Sequence, residues 1–269
     1  MEHRIRPRPV AFAFPRGTER HWFGNSPFKT HWLNSYTLII PEGEKFILRT
    51  TRRYLDQVDG VLREQVLGLL GQEALHSREH ERFFENLRSQ GYRIDGFVRW
   101  YTFILYRVLE RCIRFVFGPK MLLSTASALE HINAVIAEIG LTHEFLSDAD
   151  PGVRPLFEWH YAEEIEHKAV VYDVLRKVSR SYVLRILGMP GATICFLGAL
   201  GIGTMSLLWQ DRRLLNRRTL REAWRFFFVK PGFFQKYCEA VRSYLRPSFH
   251  PDDRDNYRLA EEMLARLQQ

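Results

Sequence analysis

Two seams of helical spacing constrain this chain most, because each carries ionisable residues where only apolar ones belong. From Leu62 onward, Val66, Leu69, Glu73, His76, His80, Phe83 and Leu87 recur at alternating steps of four and three. The stretch Val153, Phe157, His160, Glu164, His167, Val171, Val174 and Val178 repeats the rhythm. This is the period of a helical stripe that packs against other helices. A glutamate buried in such a stripe is costly unless it is paired, protonated or bound to a metal. At about 100° per residue, His160, Glu164 and His167 project within roughly 60° of one another. Each seam therefore presents an E-x-x-H, Glu73/His76 and Glu164/His167, at the centre of an apolar face.

Two further helical stretches each offer one carboxylate. Glu130 shares a face with Leu123, Ala126, Ala134 and Ala137, whose alanines admit another helix closely. Glu44 lies in register with Leu33, Ile40, Ile47 and Thr51, although Pro41 and Gly43 interrupt that helix and leave Glu42 as a competing choice. The order E, E-x-x-H, E, E-x-x-H resembles the di-metal carboxylate pattern of ferritin-like four-helix bundles. Carboxylates bridge and neutralise two cations, and imidazoles complete their coordination. This mixed oxygen and nitrogen set suits iron, with manganese or zinc as alternatives. Gln72 and Glu163, each just before a motif glutamate, are the expected supports of the ligands, and His80 mirrors His160 from the opposite seam. Glu79, Glu81, Glu158 and Glu166 read as solvated, and His21, His31, His143 and His250 as structural or surface histidines.

The rest of the chain frames this core. Residues 1–28 read as an irregular arm rich in proline, and 29–182 as an all-α helical bundle with helices near 60–89, 97–117, 121–146 and 152–179. Between Arg185 and Asp211 lie 25 uncharged residues, long enough to cross a bilayer. Basic residues at both ends oppose a simple span, and Pro190-Gly191 would permit a membrane-associated hairpin or an interfacial insertion; a helix buried against the bundle is the remaining alternative. Residues 212–269 read as basic C-terminal helices. The net charge of +8 scatters over several segments with no nucleic-acid-reading motif, so no nucleic-acid partner is expected. Three separated cysteines and an N-terminus without a signal-like apolar run suit the cytoplasm, with contact to the inner membrane face if the apolar segment meets lipid.

Several blocks carry a family resemblance: ERHW (19–22), THWLN (30–34), PEGE (41–44), GQEALHSREH (71–80), ALEH (128–131), WHYAEEIEHKAV (159–170) and RPSFHP (246–251). Over nearly its whole length the chain resembles the bacterial predicted metal-dependent hydrolases, which implies hydrolysis by a metal-activated water. The pattern His160-x-x-x-Glu164-x-x-His167 is similar to the last metal-binding helix of the di-iron arylamine N-oxygenases, where an extra histidine adds a third imidazole. That resemblance implies Glu44, Glu73, His76, Glu130, His160, Glu164 and His167 as ligands of two irons. The expected activity is then oxidation of a small organic, even lipophilic, substrate with O2 and an electron donor. Hydrolysis and non-catalytic metal binding are the alternatives.

Overall fold

The computed structural model describes residues 5–14, 18–142, 145–229 and 232–267, which leaves His143 outside the described residues. The fold is all-α; the only β pairing among the described residues is an isolated bridge between Phe23 and Ala149. Helix α1 (Pro27–Arg52) opens with Ser26, whose hydroxyl accepts from the Lys29 amide, and with proline at its first position. It holds Pro41 and Gly43 within one continuous helix. Helix α2 (Gly60–Ser89) follows as expected. Helix α3 (Asp95–Thr102) leads through a π-helical segment (Phe103–Leu109) into α4 (Glu110–Phe117), and α5 spans Pro119–Leu141.

The second seam is divided between α6 (Arg154–His167) and α7 (Val170–Val178). Lys168 and Ala169 between them keep right-handed helical dihedrals, so the valines of α7 still reach the core. The apolar segment is one helix, α8 (Tyr182–Gln210), which runs straight on through Pro190-Gly191 with no hairpin. The C-terminal part comprises α9 (Arg217–Phe228), α10 (Phe233–Tyr244) and α11 (Tyr257–Leu267).

Packing brings the seams together. Helix α1 lies on α2, α5 lies on α6 and α7, and α1–α5 and α2–α6 contacts complete the arrangement. Helix α8 covers α5 and α1 and approaches both closely. A Cβ at Gly188 would sit 2.3 Å from Ser124 Oγ on α5, and one at Gly203 would sit 2.2 Å from Ser35 Oγ on α1. Larger residues at these points would push α8 off the bundle. The N-terminal arm lies against α2, with Ile5 over Gly68 and Pro7 over Gly71. Further along, Phe12 meets Trp159 and Phe14 meets Phe83, fixing the arm to both seam helices.

Candidate metal centre

The seven expected ligands are all buried on α1, α2, α5 and α6; six of them converge, and Glu130 meets the cluster through His167. Glu44, not Glu42, faces the interior from α1; Glu42 pairs with Lys45 at the surface. Glu44 Oε1 lies 3.6 Å from His76 Nδ1 and 3.7 Å from His160 Nδ1. Glu73 Oε1 is 3.4 Å from His167 Nε2, and Glu73 Oε2 is 3.9 Å from His76 Nδ1. His167 Nδ1 meets Glu130 Oε2 at 2.9 Å, and His160 Nε2 meets Glu164 Oε1 at 3.0 Å. Two groupings bring their donor atoms within 4.8 Å of one another: Glu44, His76, His160 and Glu164, and Glu73, His76, Glu164 and His167.

Electrostatics make the protein-only arrangement expensive. Burial and then the Glu130 charge push Glu73 up to about 8, and burial with neighbouring carboxylates raises Glu44 and Glu164 well above their usual range. Burial holds His76, His80 and His160 well below the usual histidine value. Burial acts in the same direction on His167, but the charge and hydrogen bond of Glu130 outweigh it and lift it to about 10.

Hydrogen bonding shows what the cluster lacks. Glu44 Oε1, both oxygens of Glu73, His76 Nδ1, Glu130 Oε1, Glu164 Oε2 and His167 Nε2 are buried without a hydrogen-bond partner. Buried polar atoms rarely go unpaired, and here they gather in one place. The carboxylates Glu44, Glu73, Glu130 and Glu164 bring oxygen donors and the imidazoles nitrogen donors, a set whose chemistry fits metal ions. His160 differs from the rest, because both its ring nitrogens have protein partners. Nδ1 lies 2.9 Å from His80 Nε2, and Nε2 faces Glu164 and the Tyr36 hydroxyl at 3.3 Å.

A surrounding network holds the imidazoles. His76 Nε2 lies 3.0 Å from Glu163 Oε2, and Arg8 of the N-terminal arm donates to Glu163 Oε1 at 2.9 Å. The Arg8 guanidinium also forks onto Glu166 at 2.6 and 2.7 Å. The Gln72 amide donates to Glu166 at 2.9 Å and to the Arg6 carbonyl at 3.2 Å. His80 Nδ1 lies 3.2 Å from Thr37 Oγ1, so His80 supports His160 from behind. Asn133 donates to Glu164 Oε1 at 3.4 Å. Two acidic side chains expected in solvent are instead committed to protein partners: Glu166 to Arg8, and fully buried Glu79 to Arg78, Arg82 and the Phe12 amide. Arg8 and Asn133 were not among the residues expected from sequence. Arg8 lies in an arm without periodicity; Asn133, one turn beyond Glu130, was in reach of a helical-spacing argument.

A second histidine cluster contrasts with this centre. Asp211 accepts from Arg20 Nε and the Tyr92 hydroxyl on Oδ1, and lies 2.7 Å from both His21 Nε2 and His31 Nε2 on Oδ2. Burial would raise Asp211, but the hydrogen bonds from His31 and His21 hold it well below the usual carboxylate range. None of these groups is left unpartnered, so the cluster serves as a clasp between the arm, α1 and the end of α8.

Neither the curated proteins nor the solved structures contain a match to this chain. Residues 6–255 match the family model described as predicted metal-dependent hydrolase, a span that includes every residue of the centre. Metal dependence agrees with the buried, under-partnered His/Glu cluster, and the chain belongs to the predicted metal-dependent hydrolase family.

Proposed function

We propose that the chain is a metal-dependent hydrolase whose two metal ions are held by Glu44, Glu73, His76, Glu130, Glu164 and His167. The observation that carries this reading is the set of unpartnered buried ligand atoms on those six residues. A bound metal pair supplies a water of lowered pKa and polarises the oxygen of an ester, amide or phosphate. The protein's part is orientation and proton control. Glu163 accepts from His76 Nε2–H, which leaves Nδ1 with a free lone pair. Burial leaves the His80 and His160 rings neutral, and across 2.9 Å one ring donates to the other. If His160 Nδ1 is the donor, its Nε2 is free to accept from the Tyr36 hydroxyl or a substrate proton.

A specific feature favours a second reading, oxidation of an organic substrate by O2 with an external electron donor. His160 brings a third imidazole to the cluster, beside the buried Tyr36 phenol. Under this reading the metal is iron.

One paired experiment separates the two. Purified protein is loaded with zinc, manganese or ferrous iron and offered nitrophenyl esters, anilides and phosphates, then given an O2 pulse in the ferrous form. Metal-dependent product release that disappears in Glu130→Ala supports hydrolysis. Turnover of none of these, with O2 consumption and a transient visible absorbance in the ferrous protein, overturns it for oxidation.

A further inference from the structure

Two buried residues of the metal centre, Glu44 and Asn133, line a largely apolar cleft that opens to solvent. Leu105, Tyr106, Leu109 and Ile113, from the π-helical segment and α4, form one wall. A π turn adds a residue to the helical repeat, and such turns cluster at functional sites. Here the segment turns Tyr106 inward, its hydroxyl 2.7 Å from that of Tyr101. A cleft lined so largely by apolar side chains suits a hydrocarbon chain.

The same helical stretch is apolar on its outer side. Trp100, Phe103, Ile104, Val108 and Phe115 are exposed, Phe115 at 92%. Helix α8, which shares the cleft through Ala192, Cys195 and Phe196, exposes Val183, Leu187, Ile194, Ile202, Met205 and Trp209. These residues fall on helical spacing along a face about 40 Å long. Phe97 of α3 touches α8 at Gly203, so the two outer faces adjoin. Soluble monomers seldom expose so much contiguous apolar surface.

Charge selects the occupant. Exposed Arg99, Arg107, Arg111 and Arg114 interleave with the apolar residues of α3–α4, and Arg180 and Arg212 flank the α8 stripe. Two copies joined through this face would set arginine against arginine, whereas an anionic bilayer accepts both the apolar residues and the cations. The inner face of α8 is packed on α5 and α1, so the helix can lie in the interface but not cross with lipid on all sides.

We propose that the outer face of α3–α4 and α8 docks on an anionic bilayer and admits a lipid acyl chain through the cleft to Glu44. The fate of that chain at the metal centre rests on the hydrolase reading; docking does not. The test is flotation of the full metal-loaded chain with vesicles of phosphatidylglycerol and phosphatidylcholine, or of phosphatidylcholine alone. Binding is expected with the anionic vesicles, weakened about tenfold or more by Ile202→Glu or by Phe115→Glu. Metal content and helical circular dichroism should stay unchanged, and Phe115→Glu, at a nearly fully exposed site, guards against misfolding of the other variant. Arg107→Glu with Arg111→Glu should remove the preference for anionic lipid. Protein that stays in solution with anionic vesicles overturns the proposal, as does a stable dimer in lipid-free solution that Ile202→Glu dissociates. Cleft access is read by the fluorescence of parinaric acid, which Leu109→Trp should abolish without altering flotation; unaltered parinarate binding overturns the acyl path. Should flotation and parinarate binding hold while ester turnover fails, only the hydrolase reading falls.

Discussion

His76 turns its Nε2 to Glu163 Oε2, 3.0 Å away, and thereby points its unpartnered Nδ1 at Glu44 and Glu73. The tautomer that suits a metal is thus set by a residue outside the cluster, which Arg8 in turn holds. Glu163→Gln can offer its amide nitrogen to Nε2 and favour the wrong tautomer. Metal affinity in chelator competition should fall about 10- to 100-fold while helix content is unchanged.

Arg8→Ala leaves Glu163 without its cationic partner and Glu166 without its fork. Burial pushes Glu163 up to about 7 even with Arg8 opposing it, so loss of the arginine raises it further and favours the protonated carboxyl. The expected cost is about 2 kcal/mol in denaturant unfolding, because charged hydrogen bonds to buried partners are lost. Glu166→Gln, which keeps one acceptor, should cost less.

Metal loading should release protons. In the metal-free fold burial raises Glu73 to about 8, so its carboxyl holds a proton at neutral pH, and burial shifts Glu44 and Glu164 in the same direction. Affinity for a divalent ion therefore climbs as pH rises through about 8, where Glu73 gives up its proton, and on towards about 10, where His167 does. The same shift acts on stability: Glu73's folded value lies above the ordinary glutamate value of 4.5, so its contribution is full below pH 4.5 and is lost as pH rises to about 8. Metal-free protein should accordingly lose thermal stability across that window, and metal-loaded protein should not. Thermal unfolding with and without chelator, and calorimetry in buffers of different ionisation enthalpy, check both statements.

Glu130→Ala and His160→Ala should differ. Glu130 Oε1 is buried and unpartnered while Oε2 meets His167, so under the proposed two-metal centre its removal should take away one metal of the two. Both ring nitrogens of His160 already have protein partners, so its removal should leave two metals bound. Metal analysis after exhaustive dialysis reads the difference.

The parts of this arrangement legible in sequence are those that helical periodicity encodes. Glu73, His76, Glu164 and His167 stand out because apolar residues surround them at steps of three and four, and the same argument reaches Glu130. It fails where the physics is not periodic. Arg8 comes from an irregular arm whose place on α2 depends on the tight fit of Pro7 against Gly71, and without it Glu166 reads as solvated. The π-helical segment shifts the register around Tyr106 by an added residue, which spacing rules written for α-helices cannot see. Pro41 and Gly43 leave the register uncertain between Glu42 and Glu44, and only the packing of both halves of α1 on the bundle shows Glu44 buried. Pro190 is likewise absorbed, with α8 held on α5 and α1 through Gly188 and Gly203.

The central claim is that two metal ions lie between Glu44, Glu73, His76, Glu130, Glu164 and His167. Anomalous diffraction at the absorption edge of the native metal, from crystals of protein never exposed to chelator, tests it most directly. Two peaks among those six side chains are expected. A single peak, no peak, or density at the His21–His31–Asp211 cluster instead would contradict it.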